Sequence, residues 1–183
     1  MRTLIINGSP RKNGDTAHLL AALKTQLHGE ITELSAYYGG VSPCIDCRAC
    51  QTIKGCVVRD GMQAVYDDGY DNVVIASPIY MSGLTGPLVG LASRFQAYYC
   101  ARRFLQDPFV LKKKKGALIF TGGGDGAPGE ALRLGGWMLG QMNAEGGDGH
   151  TALSLHTDRL PAAEDTAALA QVREIAAYFN GDV

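Results

Sequence analysis

The chain has 183 residues, 46% of them hydrophobic, with 17 Lys and Arg against 18 Asp and Glu and a formal net charge of −1. That length fits one domain spanning 1–183, able to bury about 70% of the surface an unfolded chain exposes, so no staple is needed for stability. The mixed, near-neutral charge argues against nucleic acid, no apolar run has bilayer length, and five clustered cysteines do not make a secreted disulfide framework; a soluble cytoplasmic protein without a membrane partner is expected.

Met1-Arg2-Thr3 passes directly into the apolar run Leu4-Ile5-Ile6, too short for a signal peptide, and a first strand is predicted over Thr3 to Ile6. Leu20-Leu23-Leu27 then follows helical spacing, and Ile31 to Leu34 reads as a second strand. The stretch from Ser35 to Asp60 has no periodicity and is expected to be a cysteine-rich insertion, since so long a loop is functional or disordered. Asn72 to Ala76 is a third strand, and Leu84-Leu88-Leu91-Phe95-Tyr98 carries the three-four spacing of a helix. Cys100 follows it as a small buried side chain. The basic run Lys112 to Lys115 reads as a solvated lead-in to a fourth strand, Ala117 to Thr121.

A helix is predicted from Glu130 to about Asn143, where Leu134, Met138 and Met142 keep the period although Gly135, Gly136 and Gly140 weaken it. Glu145 to Gly149 is a loop into the last strand, Thr151 to Leu155, and Leu169-Val172-Ala176-Phe179 closes the chain as a helix. Nearly continuous apolar strands alternating with helices imply a doubly wound parallel sheet covered on both faces. In such sheets ligands bind beyond the carboxyl ends of the strands.

The motif Cys44-x2-Cys47-x2-Cys50-x5-Cys56 can offer four sulfurs to one centre. Its C-x2-C-x2-C core is the spacing of cubane iron–sulfur ligation, with Cys56 as the fourth ligand. Arg48, Lys54 and Arg59 are at hand to offset the anionic charge, or are simply solvated. Zinc is the nearest competitor, although it usually draws on two separated knuckles, and reduced thiols or a labile disulfide form a third reading.

Three loops fall at strand ends. Gly8-Ser9-Pro10-Arg11-Lys12-Asn13-Gly14-Asp15-Thr16 combines a helix start, the Ser9 and Thr16 hydroxyls and the charge of Arg11, which suits a phosphate, unless it is an ordinary helix N-cap. It is neither a Walker loop nor a dinucleotide fingerprint. In Ser77-Pro78-Ile79-Tyr80-Met81-Ser82-Gly83, proline and glycine fix a backbone path and Tyr80 can flank a planar ring or merely close the core. Thr121-Gly122-Gly123-Gly124-Asp125-Gly126 leaves its backbone open to a ring, or is a plain flexible loop. A phosphate at the first loop and a flat ring between the others is the layout of a mononucleotide, and an iron–sulfur neighbour points to FMN.

These three loops, together with the cysteine run and the following Val57-Val58-Arg59-Asp60-Gly61-Met62, resemble the NADPH-dependent FMN reductase family of flavodoxin-like proteins, and within it the iron-sulfur flavoproteins. The resemblance implies a flavodoxin-like three-layer α/β sandwich with a five-stranded parallel sheet of order 2-1-3-4-5, assembled as a homodimer or homotetramer. It implies FMN held by Ser9, Arg11, Asn13, Asp15 and Thr16 around the phosphate. Pro78, Ile79, Tyr80, Met81, Ser82, Gly83, Gly122, Gly123 and Gly124 would border the ring. Cys44, Cys47, Cys50 and Cys56 would hold a 4Fe-4S cluster. The family usually has asparagine at the Asp15 position, where a carboxylate is unfavourable unless it turns away or caps the helix.

The expected chemistry is electron transfer from ferredoxin or NAD(P)H through FMN and the cluster to a small-molecule acceptor. A cluster-free NAD(P)H-dependent FMN or quinone reductase is the second reading, and a non-catalytic carrier or redox sensor the third. No proton donor is assigned, since His18, His28, His150 and His156 fit surface or packing roles better.

Overall fold

The computed structural model describes residues 1–124 and 127–182. Its elements are β1 (Arg2–Asn7), α1 (Asp15–Lys24), β2 (Glu30–Ser35), α2 (Gln63–Tyr66), β3 (Asn72–Pro78), α3 (Gly86–Ala92), α4 (Gln96–Arg103), β4 (Lys114–Gly122), α5 (Gly129–Gln141), β5 (Ala144–Glu145), β6 (Thr151–Leu155) and α6 (Thr166–Asn180). The strands are parallel in the order β2-β1-β3-β4, and both β5 and β6 pair with β4. The five expected strands therefore stand in the expected order. The two-residue β5 is an addition, formed where Lys114 and Lys115 register with Ala144 and Glu145.

The central strands are apolar throughout because both faces are covered. Side chains alternate across the pleat, so Leu4, Ile6, Val73, Ile75, Leu118 and Phe120 join one buried cluster with Leu88, Leu91, Phe95, Tyr98, Met138 and Leu139. Ile5, Val74, Ala76, Ala117 and Ile119 point the other way, against Leu19, Leu20 and Leu23 of α1 and Val172, Ile175 and Phe179 of α6. Helices α2 to α5 thus pack on one face and α1 and α6 on the other, which makes three layers.

Two expectations are corrected. The helical spacing from Leu84 to Tyr98 is not one helix: α3 and α4 are separated by a 3₁₀ turn over Ser93–Phe95. Ser93 Oγ donates back to the Gly90 carbonyl at 2.6 Å, the kind of side-chain competition that disturbs a helix interior. The basic run is also not uniformly solvated. Lys114 is buried, and its Nζ donates to Asp68 and to the carbonyls of Lys112 and Met142, satisfying all three ammonium protons.

The register brings the strand ends to one edge. Asn7 lies opposite Ala76, Pro78 opposite Thr121, and Gly122 opposite Leu155. The loops that follow β1, β3, β4 and β6 consequently leave the sheet side by side.

Candidate functional site

The first loop turns sharply over the end of β1. The Gly8 N–H donates to the Ala76 carbonyl at 2.7 Å, and Thr85 Oγ1 donates to the Gly8 carbonyl at 2.8 Å. A Cβ on Gly8 would stand 2.7 Å from Leu88 Cδ2 and 3.0 Å from Ser77 Oγ, so only glycine lets the loop press this closely on β3 and α3. Ser9 is buried; its N–H donates to Asn7 Oδ1 at 2.8 Å, and its Oγ accepts the Arg11 N–H at 3.2 Å. Asn7 is held in turn by donating to Glu33 Oε1 at 2.7 Å. Burial alone would raise the Glu33 pKa, but hydrogen bonds from Lys24 and Asn7 outweigh it and bring the value below the usual carboxylate range.

Helix α1 starts after Gly14 with no side-chain cap, which answers the N-cap reading of this loop. Helix α6, by contrast, has Asp165 Oδ1 accepting from the Ala168 N–H at 3.0 Å. The first-turn N–H groups of α1 are therefore left for another acceptor, at the positive end of the helix dipole. Thr16 is buried at that end, its Oγ1 2.8 Å from Thr121 Oγ1 across from β4. The carboxylate of Asp15 does not face this opening unengaged: Oδ1 accepts the Ala162 N–H at 2.9 Å.

The second loop continues from β3 through Ile79, whose N–H donates to the Thr121 carbonyl at 2.7 Å. Tyr80 and Gly83 then exchange two backbone hydrogen bonds of 2.9 Å around Met81 and Ser82. Both central residues have positive φ, 50° and 64°, a left-handed pair usually left to Asn and Gly. Such conformations at non-glycine residues cost of order 1–3 kcal/mol each and gather at ligand clamps. Tyr80 is 47% exposed, so its ring does not close the core.

These segments enclose a cleft of about 200 Å³ lined by Ser9, Arg11, Gly14, Asp15, Thr16, Pro78, Ile79, Tyr80, Thr121, Gly123, Thr157 and Asp158. Thr157 and Asp158 come from the loop after β6, which is tied to the third loop by Thr157 N–H donating to the Gly122 carbonyl at 2.9 Å. At Gly123 a Cβ would meet Asp158 Oδ1 at 2.6 Å.

The cysteine loop lies on the helical face that carries α3 and α4. Two left-handed residues between the cysteines, Asp46 at φ 49° and Arg48 at φ 62°, fold it back on itself. The Cys44 N–H donates to Ser93 Oγ at 2.9 Å, and the Ser42 N–H donates to Asp60 Oδ2 at 3.0 Å. All four motif cysteines line one small cavity, closed from inside by Arg94, Ala97 and Cys100. Cys44 and Cys47 are exposed, Cys50 and Cys56 half-buried, and Cys100 buried as expected. Burial first, then the hydrogen bond and charge of Cys100, push the Cys50 thiol up to about 12. Among the described residues no three His, Cys, Asp or Glu side chains converge on a single metal ion. A four-iron cluster is larger than one ion and asks for more widely spaced sulfurs.

Helix α3 borders both places, with Leu88 under the first loop and Gly90 facing Pro43, whose Cβ a Cβ on Gly90 would meet at 3.4 Å.

Residues 1–142 match the family model described as NADPH-dependent FMN reductase. The chain belongs to that family. An iron-sulfur flavoprotein of Methanocaldococcus jannaschii is 31% identical over 128 residues, covering 67% of this chain and 62% of that protein. An iron-sulfur flavoprotein of Methanosarcina thermophila is 30% identical over 128 residues, covering 67% of this chain and 64% of its own. The matched region thus spans a little under two thirds of these relatives. Among solved structures, an FMN-dependent NADH-azoreductase of Bacillus anthracis in complex with FMN superposes with a TM-score of 0.69 at 18% identity, covering 98% of this chain and 100% of that one. A WrbA-like flavodoxin of Agrobacterium tumefaciens gives 0.59 at 16% identity, covering 99% and 96%. These likenesses establish the flavodoxin-like fold.

Of the residues that the family resemblance brings forward, Ser9, Arg11, Asp15, Thr16, Pro78, Ile79, Tyr80 and Gly123 line the cleft. Asn13 is exposed outside it, Met81 is fully exposed at the turn tip, and Ser82 and Gly83 shape that turn. Gly122 ends β4 and Gly124 is exposed, while Asp125 and Gly126 of the third loop lie outside the described residues. Sequence reasoning placed Thr121 at the head of the third loop without naming it a site residue, and it missed Thr157 and Asp158 at the cleft and Arg94 at the cysteines. Thr157 and Asp158 could have been found by adding the loop after the last strand to the set at the same sheet edge. Arg94 has no local signal.

No helix of the described residues is long and apolar enough to cross a membrane.

Proposed function

We propose that this family member is an FMN-dependent oxidoreductase that takes electrons from NAD(P)H or ferredoxin and passes them, through a 4Fe-4S cluster, to a small-molecule acceptor. The observation that carries the flavin reading is the uncapped N-terminus of α1 opening into the same cleft as Ser9, Arg11, Thr16 and the strained Tyr80–Gly83 turn. The backbone N–H groups and hydroxyls are the donors a phosphate monoester requires, and Arg11 adds a charge-assisted contact. A cleft of about 200 Å³ is below the usual roughly 300–1,000 Å³ of ligand pockets. It suits the phosphate end of the mononucleotide, with the ring bordered by Tyr80 and Gly123 on the open side.

The relatives' names and the shared cavity of the four motif cysteines support the cluster reading. The cavity wall also carries a buried cation with an unpartnered donor, Arg94 Nε, in keeping with an anionic occupant. When bound, FMN exchanges two electrons as hydride and releases them singly, and a cluster carries one at a time. The chain's own part is to seat the phosphate, hold the turn around Met81 and Ser82 in place, and present four thiolates from a loop pinned at both ends.

Anaerobic purification followed by FMN titration and by iron and sulfide analysis tests this reading. One FMN and about four irons per chain are expected. Flavin with rapid NAD(P)H turnover but no iron would leave a cluster-free reductase, flavin without turnover on any donor a carrier or sensor. A protein that takes up no FMN would refute the proposal.

A further inference from the structure

We propose that Arg94 is the buried counter-charge of the cysteine cavity, clamping both ends of the cysteine loop and aiming its remaining Nε–H at the sulfur held there, so that it raises the reduction potential of the bound cluster. This rests on the cluster reading above.

The Arg94 side chain is 2% exposed. Its Nη1 donates to the Ser42 carbonyl at 2.9 Å and to Asp60 Oδ2 at 2.8 Å, and its Nη2 donates to the Val58 carbonyl at 3.1 Å. Ser42 precedes Cys44 and Val58 follows Cys56, so one guanidinium joins the two ends of the loop that carries all four motif cysteines. Asp60 completes the clamp by accepting the Ser42 N–H at 3.0 Å. Among the described residues, Nε of Arg94 is the buried side-chain nitrogen or oxygen left without a hydrogen-bond partner, in a residue that lines the cysteine cavity.

A buried donor of a charged group left unpaired costs stability, so native structures rarely keep one without a reason. Four thiolates around an iron–sulfur core carry net negative charge, and the cations expected from sequence to offset it are turned elsewhere. Arg48 pairs with Asp46 at 71% and 73% exposure, Lys54 with Asp107, and Arg59 with the Gln63 side chain. Solvent and salt screen those charges, whereas a guanidinium at 2% exposure acts through a lower dielectric. Positive charge beside the cluster favours its reduced, more negative form, and Asp60 tempers that effect. Cluster potentials follow net charge and hydrogen bonds to sulfur in this sense.

The test is a redox titration, followed by electron paramagnetic resonance, of anaerobically reconstituted wild type, Arg94→Gln and Asp60→Asn, with flavin and iron contents measured alongside. Arg94→Gln is expected to move the cluster midpoint negative by a tenfold or greater change in the oxidised-to-reduced ratio, about 59 mV for a one-electron couple. Asp60→Asn should move it the opposite way. A purely structural role would not produce shifts of opposite sign. Loaded variants whose midpoints equal the wild type would overturn the proposal. Should Arg94→Gln not retain its cluster, Asp60→Asn decides alone, with a positive shift in support and an unchanged or negative one against. Wild type that takes up FMN but no iron overturns the cluster reading itself, an outcome distinct from loaded but unshifted variants.

Discussion

Substituting Gly8 by alanine places a methyl group in the tightest approach of the cleft. The added carbon would lie 2.7 Å from Leu88 Cδ2, 3.1 Å from Leu88 Cβ and 3.0 Å from Ser77 Oγ, against an optimal carbon separation of about 3.5–4.0 Å. Rotating Leu88 can remove the first clash but not the second, because its Cβ is fixed to α3. Leu88 is also fully buried and has no open space to swing into. The remaining relief is for the first loop to lift, which strains the Gly8 bonds to Ala76 and Thr85. Overpacking of this kind costs about 1–3 kcal/mol. For a chain of this length that corresponds to roughly 2–12 °C in melting temperature. Ser9 would move with the loop, so FMN affinity should fall about tenfold for each 1.4 kcal/mol by which phosphate binding weakens. Urea unfolding and flavin-quenching titration measure the two effects separately. Leu88→Ala empties a buried site and costs stability itself, but combined with Gly8→Ala the loss should be smaller than the sum of the two by at least about 0.5 kcal/mol in a double-mutant cycle. Gly8→Ala protein within about 0.5 kcal/mol of wild type, with unchanged flavin affinity, would refute the packing argument.

Three further outcomes are expected. Arg11→Ala should weaken FMN retention by about 1.5–3 kcal/mol, the value of a charge-assisted hydrogen bond, as read by equilibrium dialysis, while leaving iron content unchanged. Cys47→Ser should do the reverse, abolishing iron uptake with flavin affinity intact; full iron content would remove Cys47 from the ligand set. Acid stability should report Asp60. Burial would raise its pKa, but the Arg94 hydrogen bond and the N–H groups of Ser42 and Met62 bring it below the usual carboxylate range. A carboxylate depressed on folding stabilises above its unfolded pKa and loses that contribution as the pH falls through the folded one. Unfolding free energy should therefore drop from about pH 4 downward, and Asp60→Asn should flatten that drop while being less stable near neutrality. Equal slopes for the two proteins would place the acid sensitivity elsewhere.

Much of the scaffold was legible in the sequence because its signals are local. Leu4-Ile5-Ile6, Asn72 to Ala76 and Ala117 to Thr121 are apolar throughout since each strand is covered on both faces, and their helical partners repeat every three or four residues. Given those strands, the parallel-sheet rule places the loops after β1, β3 and β4 at one edge. The cysteine spacing needed only counting. The burial of Lys114 escaped this reading because it answers to a distant partner, Asp68, and the break at Ser93–Phe95 because the apolar three-four spacing runs straight through it.

What folding alone decided is which polar groups meet across long stretches of chain. Thr16 finds Thr121, Asp15 finds the Ala162 N–H, and Arg94 reaches back to Ser42, Val58 and Asp60. None of these pairings leaves a periodic trace, because hydrogen-bond partners are selected by proximity in space and by the need to satisfy buried donors and acceptors. Periodicity records only which face of an element is covered. The sequence could therefore name the cysteines and the phosphate loop, while the cation standing behind those cysteines became visible only when α3, α4 and the cysteine loop were packed together.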